Sequence, residues 1–281
     1  MTRSIRLNGA DFVYEVAGEE HEETVLVLHG GRGIGDHRKD FQAFLPLADK
    51  YRVLAYDQRG CGLSSLTPPY TFDQFADDLE AVRMALCGGR KIRLIGGSFG
   101  GMIALTYAVK HGAGLSHLVL RGTAPSHHMQ DDLFAHLRER LRAAPSASEA
   151  MVRKLVADGC RDDMELRLIW LACQPLYYEK FDPDQALEAT MALHIHAETH
   201  RALFWHDKYY DVRAGLAGIA CPTHVVVGAN DWICPVNQSR TIAAGIPNAE
   251  LVIVEGANHP VHIEKNALVL AGIRDFFRRH P

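Results

Sequence analysis

No stretch of the 281-residue chain approaches eighteen consecutive apolar residues, and Met1 to Leu7 holds no apolar run of the kind that opens an export signal. Neither membrane spanning nor export is expected, and the chain reads as cytoplasmic. Cysteine is sparse: the six, at positions 61, 87, 160, 173, 221 and 234, form no C-x-x-C pair. That spacing is neither a zinc pattern nor a dense disulfide framework, and free buried thiols are expected. A large charge excess is lacking as well, since 30 Lys and Arg face 34 Asp and Glu for a formal charge of −4, with the basic residues scattered. A polyanion would find no basic field, so nucleic acid is not an expected partner. Repeats and low-complexity tracts are absent.

The chain does have a 47% hydrophobic share and the length for one large α/β domain, with or without an insertion. Continuous apolar runs mark strands buried on both faces. They recur at 25–28, 53–56, 92–95, 118–120, 225–227 and 251–254. Helical patterns lie between them, as in Phe75, Leu79, Val82 and Leu86, so the alternation is βαβ and the sheet mostly parallel. Ahead of it, Ser4 to Asn8 and Asp11 to Ala17 flank Gly9 as an antiparallel edge hairpin.

The alternation stops after Pro125 and resumes at Cys221-Pro222-Thr223. Between them only amphipathic helices are legible, with Leu133, Leu137 and Leu141 on one face and a capping box expected from Ser146 and Glu149. The expected organisation is a core of residues 1–124 and 213–281 with a helical cap over 125–212. Ligands of open α/β sheets bind beyond the carboxyl ends of the strands, where such a cap would roof the site.

One strand runs into Gly96-Gly97-Ser98-Phe99-Gly100, and an apolar helix follows. A serine between two glycines at a strand-to-helix turn is a nucleophile elbow. A serine hydroxyl needs a base, and the base needs an orienting carboxylate. Asp231 follows the 225–227 strand and His259 follows the 251–254 strand, each on a strand-end loop. The order Ser98, Asp231, His259 is that of the α/β-hydrolases rather than of the chymotrypsin or subtilisin folds.

An attacked carbonyl develops negative charge on oxygen, which prearranged backbone amides stabilise. The Phe99 amide, at the start of a helix, is one expected donor. The second is expected from the loop His29-Gly30-Gly31-Arg32-Gly33-Ile34-Gly35, which lacks the G-K-[ST] ending of a phosphate loop. His196 and His200 share a helical face but lack the H-E-x-x-H order of a metal site. Neither a metal nor a cofactor is expected.

The set HGG-x-G at 29–33, DQRG-x-G-x-S at 57–64, GGS-x-G at 96–100, the 228–235 loop and His259 resembles the proline iminopeptidase branch of the α/β-hydrolases across nearly the whole core. The resemblance implies Gly31 as the second oxyanion donor and an architectural role for Asp57 and Arg59. It also implies an acyl-enzyme hydrolase acting on a small-molecule or short-peptide substrate at an N-terminal peptide or small amide bond. Two positions depart from the branch: Arg32 replaces a proline, and Phe99 stands where Trp or Tyr is common. Arg32 either binds a substrate carboxylate or points to solvent. Iminopeptidases hold the substrate ammonium with cap carboxylates; Glu198 is the candidate by position, although the branch's tryptophan-linked acidic motif has no match here. Trp232 is a further candidate for the substrate pocket, as is Trp205. Ester or lactone hydrolysis uses the same triad without an ammonium site, and a non-catalytic binder on this scaffold is the third reading. Oligomeric state is not legible.

Overall fold

A computed structural model describes residues 2–206 and 208–281, without the side chains of His136 and His206. Eight strands form one sheet: β1 (Arg3–Leu7), β2 (Ala10–Ala17), β3 (Thr24–Leu28), β4 (Arg52–Tyr56), β5 (Ile92–Gly97), β6 (Leu115–Arg121), β7 (Thr223–Gly228) and β8 (Ala249–Val254). Their spatial order is β1-β2-β4-β3-β5-β6-β7-β8. β1 and β2 form an antiparallel hairpin, β2 pairs antiparallel with β4, and every other pairing is parallel.

Side chains alternate across a strand, and here both faces are dry. Leu26, Leu28, Leu54 and Tyr56 enter one core, whereas Val25, Val27, Val53 and Ala55 enter the other. Each of these Val and Leu side chains, once fully buried, contributes about 1.5–3 kcal/mol of hydrophobic transfer. The first core is closed by α2 (Phe72–Leu86) and α3 (Phe99–His111), the second by α1 (Arg38–Phe44) and the C-terminal helix of residues 266–279. α3 is buried along Phe99 to Ala108 because it is apolar all round rather than on one stripe.

Between β6 and β7 the described residues form helices: α4 (Met129–Arg140), α5 (Glu149–Arg153), α6 (Asp163–Cys173), α7 (Pro183–Ala192) and α8 (Ala197–His206). The two ends of this segment meet, since His127 N donates to Tyr210 O at 2.8 Å and Val212 N to Pro125 O at 2.9 Å. The capping serine of α5 is Ser148, whose hydroxyl accepts from Met151 N, and not Ser146. Ser146 Oγ instead donates to Ala172 O at the end of α6. After β7 come α9 (Val236–Gly245), α10 (Val261–Glu264) and α11 (Asn266–Arg279). Among the described residues no helix is long and apolar enough to cross a membrane.

Candidate active site

Ser98 sits between β5 and α3 with φ 52° and ψ −123°, a conformation that non-glycine residues rarely adopt. The turn is tight enough to exclude any side chain two residues either way. A Cβ on Gly96 would lie 2.5 Å from Gly100 O, and one on Gly100 would lie 2.6 Å from Leu28 O. The strained serine is held on both sides: its amide donates to Arg121 O and Gly122 O at 3.1 Å, and its carbonyl accepts from Thr123 Oγ1 at 2.7 Å.

Asp231 is buried on the loop after β7, where its Oδ1 accepts from the amides of Ile233 (3.0 Å) and Cys234 (2.9 Å). His259, after β8, donates from Nδ1 to the same carboxylate at 2.9–3.0 Å. With its proton on Nδ1, the ring keeps a basic lone pair on Nε2. The His259 backbone is fixed too, because its amide donates to Asn258 Oδ1 at 2.9 Å while the Asn258 amide donates to Glu264 Oε2 at 2.6 Å.

Ser98, Phe99, His259, Gly30 and Gly31 line a single cavity of about 260 Å³ under the helical segment. That volume suits a small substrate. Leu155, Val156, Trp170, Tyr177 and Phe204 form its apolar roof. Tyr177 lies edge-on to His259 with ring centres 5.5 Å apart, and its phenol is pushed well above its ordinary pKa by burial.

The candidate substrate residues divide. Arg32 lines the cavity with its guanidinium 4.7 Å from the centre of the Phe204 ring and Nη2 3.3 Å from Met102 Sδ. Glu198 does not: it is exposed in the first turn of α8, on the face shared with the exposed Trp205, while His200 and Phe204 occupy the inner face. Trp232 is also absent from the lining. It is buried behind Tyr177, with ring centres 5.4 Å apart. Among the described residues the helical segment presents no Asp or Glu to the cavity.

The cavity's carboxylates come from the core instead, as Asp36 and Asp40. Asp36 is consumed by Arg38, which bonds both of its oxygens. Asp40 takes a hydrogen bond from the buried Arg121 guanidinium and lies 3.1 Å from His262 Nε2. Sequence reasoning missed this trio. The 36 and 40 spacing was a weak signal, and nothing local announced a partner at 121 or 262.

The DQRG segment braces the site from outside. Asp57 Oδ1 receives the His37 amide at 2.8 Å and its Nδ1 at 2.6 Å, while Oδ2 receives the Leu63 amide at 2.8 Å. Burial alone would raise the Asp57 pKa, but these hydrogen bonds outweigh it and hold the carboxyl below its ordinary value. Arg59, fully buried, pairs with both oxygens of Asp78 at 2.7 and 2.8 Å. Gln58 Nε2 donates to His29 O at 2.8 Å and so anchors the loop that follows β3. The six cysteines are unpaired.

A family model described as alpha/beta hydrolase fold matches residues 23–266. The chain is 44% identical over 281 residues to the proline iminopeptidase PfmaB of Pestalotiopsis fici, covering 99% of this chain and 100% of that protein. It is 30% identical over 291 residues to a proline iminopeptidase of Xylella fastidiosa, covering 94% of this chain and 92% of the relative. Among solved structures, a hydrolase from Pseudomonas aeruginosa superposes with a TM-score of 0.73 at 25% identity, covering 98% of each chain.

Proposed function

Because the chain belongs to the α/β-hydrolase family and is a hydrolase, we propose that Ser98, His259 and Asp231 act as its catalytic triad on a small amide or N-terminal peptide bond. Ser98 Oγ attacks the carbonyl carbon as His259 Nε2 takes the hydroxyl proton. Asp231 holds the resulting imidazolium. The oxyanion of the tetrahedral intermediate sits on the amides of Gly31 and Phe99, each such donor being worth about 3 kcal/mol in comparable sites. Collapse breaks the bond to the leaving nitrogen, which receives the proton from His259. Water, activated by the same imidazole, then hydrolyses the acyl-enzyme and restores Ser98. Residues 125–212 serve as the cap over a core of 1–124 and 213–281.

The observation that carries this reading is that His259, held by Asp231, and Ser98 line the same small cavity. The amide preference rests on the relative named proline iminopeptidase at 44% identity. Ester or lactone hydrolysis is the second reading, favoured by the lack of a cap carboxylate facing the cavity among the described residues. The acids a substrate ammonium would meet there, Asp36 and Asp40, both lie on the core and are each already paired with an arginine, Arg38 and Arg121. Arg32 supplies a cation for a substrate carboxylate.

The test compares prolyl and alanyl arylamides with a free amine, their N-acetylated forms, and short p-nitrophenyl esters and lactones, with Ser98→Ala as blank. Free-amine arylamides turned over and lost on acetylation establish the amide reading. Turnover of esters or lactones alone replaces it with the second. Covalent labelling of Ser98 by an organophosphonate supports the nucleophile, and a folded protein that resists it overturns the triad.

A further inference from the structure

The loop that would bear the Gly31 oxyanion donor has little stiffness of its own. Within residues 31–35 it has Gly31, Gly33 and Gly35, with φ of 87°, 64° and 81°. Glycine supplies such angles at the cost of chain freedom, so the loop must be held from outside.

The cap does much of the holding. Gly35 N donates to His194 O and His196 N to Gly33 O, both at 2.8 Å, and Ile34 faces Ile195 in an antiparallel bridge. A Cβ on Gly33 would overlap the His196 carbonyl. Side chains of the same cap segment extend the seam. His196 Nε2 lies 2.8 Å from Gly62 O; His200, only 1% exposed, places Nδ1 3.0 Å from Arg32 O and Nε2 3.3 Å from Lys154 O.

Both partners of His200 are carbonyl oxygens, which only accept. Burial pushes its pKa down to about 4, so at neutral pH the ring has one N–H for two carbonyls. Lys154 O already receives the Gly159 amide at 3.0 Å, and Arg32 O is the nearer of the two. The network therefore assigns the proton to Nδ1.

We propose that His200 is a positioning residue for the oxyanion hole: its Nδ1–H fixes the Arg32 carbonyl and thereby holds the loop that carries the Gly31 amide two peptide units earlier, so that the cap sets the geometry of a donor carried by the core. This rests on the reading of Gly31 as an oxyanion donor. It gives His200 a role that involves no metal.

Asparagine and glutamine separate the two ring nitrogens, because the Asn amide nitrogen falls near Nδ1 and that of Gln near Nε2. Full-length His200→Asn and His200→Gln are compared with wild type for kcat, KM and melting temperature, using whichever arylamide or ester wild type cleaves. His200→Gln is expected to lose about 10- to 100-fold in kcat, the scale of an error of about 1 Å in catalytic geometry, with KM within about twofold. His200→Asn is expected to stay within about threefold of wild type. Equal losses in the two variants, a larger loss in Asn, or no loss in either overturns the proposal. Binding of a substrate-like trifluoromethyl ketone, set against the corresponding alcohol, tests the underlying reading separately. If wild type binds the ketone no more tightly, the oxyanion assignment itself fails. If wild type binds it more tightly and His200→Gln keeps that excess, only the role of His200 falls.

Discussion

His259 Nδ1 lies within hydrogen-bond distance of both Asp231 oxygens, at 3.0 Å from Oδ1 and 2.9 Å from Oδ2, while the Ile233 and Cys234 amides hold Oδ1 from the other side. The carboxylate thus has no freedom to turn away, and the imidazole takes its tautomer from it. In Asp231→Asn one acceptor oxygen becomes an NH2 donor and opposes the N–H it should receive. The expected result is a fall in kcat of about 10⁴ with the fold retained. Steady-state kinetics beside a circular dichroism melt check it, and near-normal kcat would remove Asp231 from the triad.

Gly31 combines a φ of 87° with a neighbour that leaves no room, since a Cβ would collide with the Ile34 carbonyl. Gly31→Ala must shift the loop and the amide with it. We expect kcat to fall by about 100-fold and stability by about 1–3 kcal/mol. A variant with wild-type kcat would show that this amide does not receive the oxyanion.

Arg32→Ala tests the cation near Phe204. If the guanidinium fork pairs with a substrate carboxylate, KM for acidic substrates rises about tenfold and KM for neutral ones stays put. Unchanged Michaelis constants for both classes would dismiss the role.

Asp57 links stability to pH. Its pKa in the folded protein lies below the unfolded value of about 3.9, so its contribution is present above that value and is lost as the pH falls through the folded pKa. Asp57→Asn is expected to be less stable than wild type by about 1–3 kcal/mol at pH 7, with the difference shrinking below pH 4. Urea titrations at pH 7 and in the acid range check it; a gap that is the same at both would assign the loss to shape rather than charge.

His200 works in the opposite chemical sense with the same sign. Its neutral form is the buried one, and the folded pKa of about 4 lies below the unfolded value of about 6.5. The unfolded chain binds the proton first, so stability falls as the pH drops from about 6.5 toward 4, by on the order of 3 kcal/mol. His200→Asn removes that contribution, and its stability against pH is expected to be flatter across this window. An unaltered slope would show that His200 is not the buried base.

The parts of the fold set by long, uniform apolar runs were legible in the sequence. β3 and β4 declare themselves because both faces of each strand enter a core, and the elbow because Gly96 and Gly100 leave no room for a side chain. Placement within the helical segment between β6 and β7 was not legible, since the rotation of a short helix is fixed by what packs on it. Glu198 and His200 are two residues apart on α8, and tertiary contact alone turns the histidine inward and the acid out. Ser146 and Ser148 pose the same difficulty, as either hydroxyl suits a cap until the Ala172 carbonyl takes one of them. The Asp40–Arg121 pair spans 81 residues and leaves no periodic trace.

The helical segment leaves the sheet at Pro125 and returns at Val212 through residues that already bond to each other. An insertion whose ends meet makes no demand on the spacing of β6 and β7, whatever its length or contents. Its roof can be rebuilt by insertion, deletion or wholesale grafting while the elbow below keeps its geometry. The lining of the cavity can therefore change without moving the strands that hold Ser98, provided the new segment still grips the loop after β3.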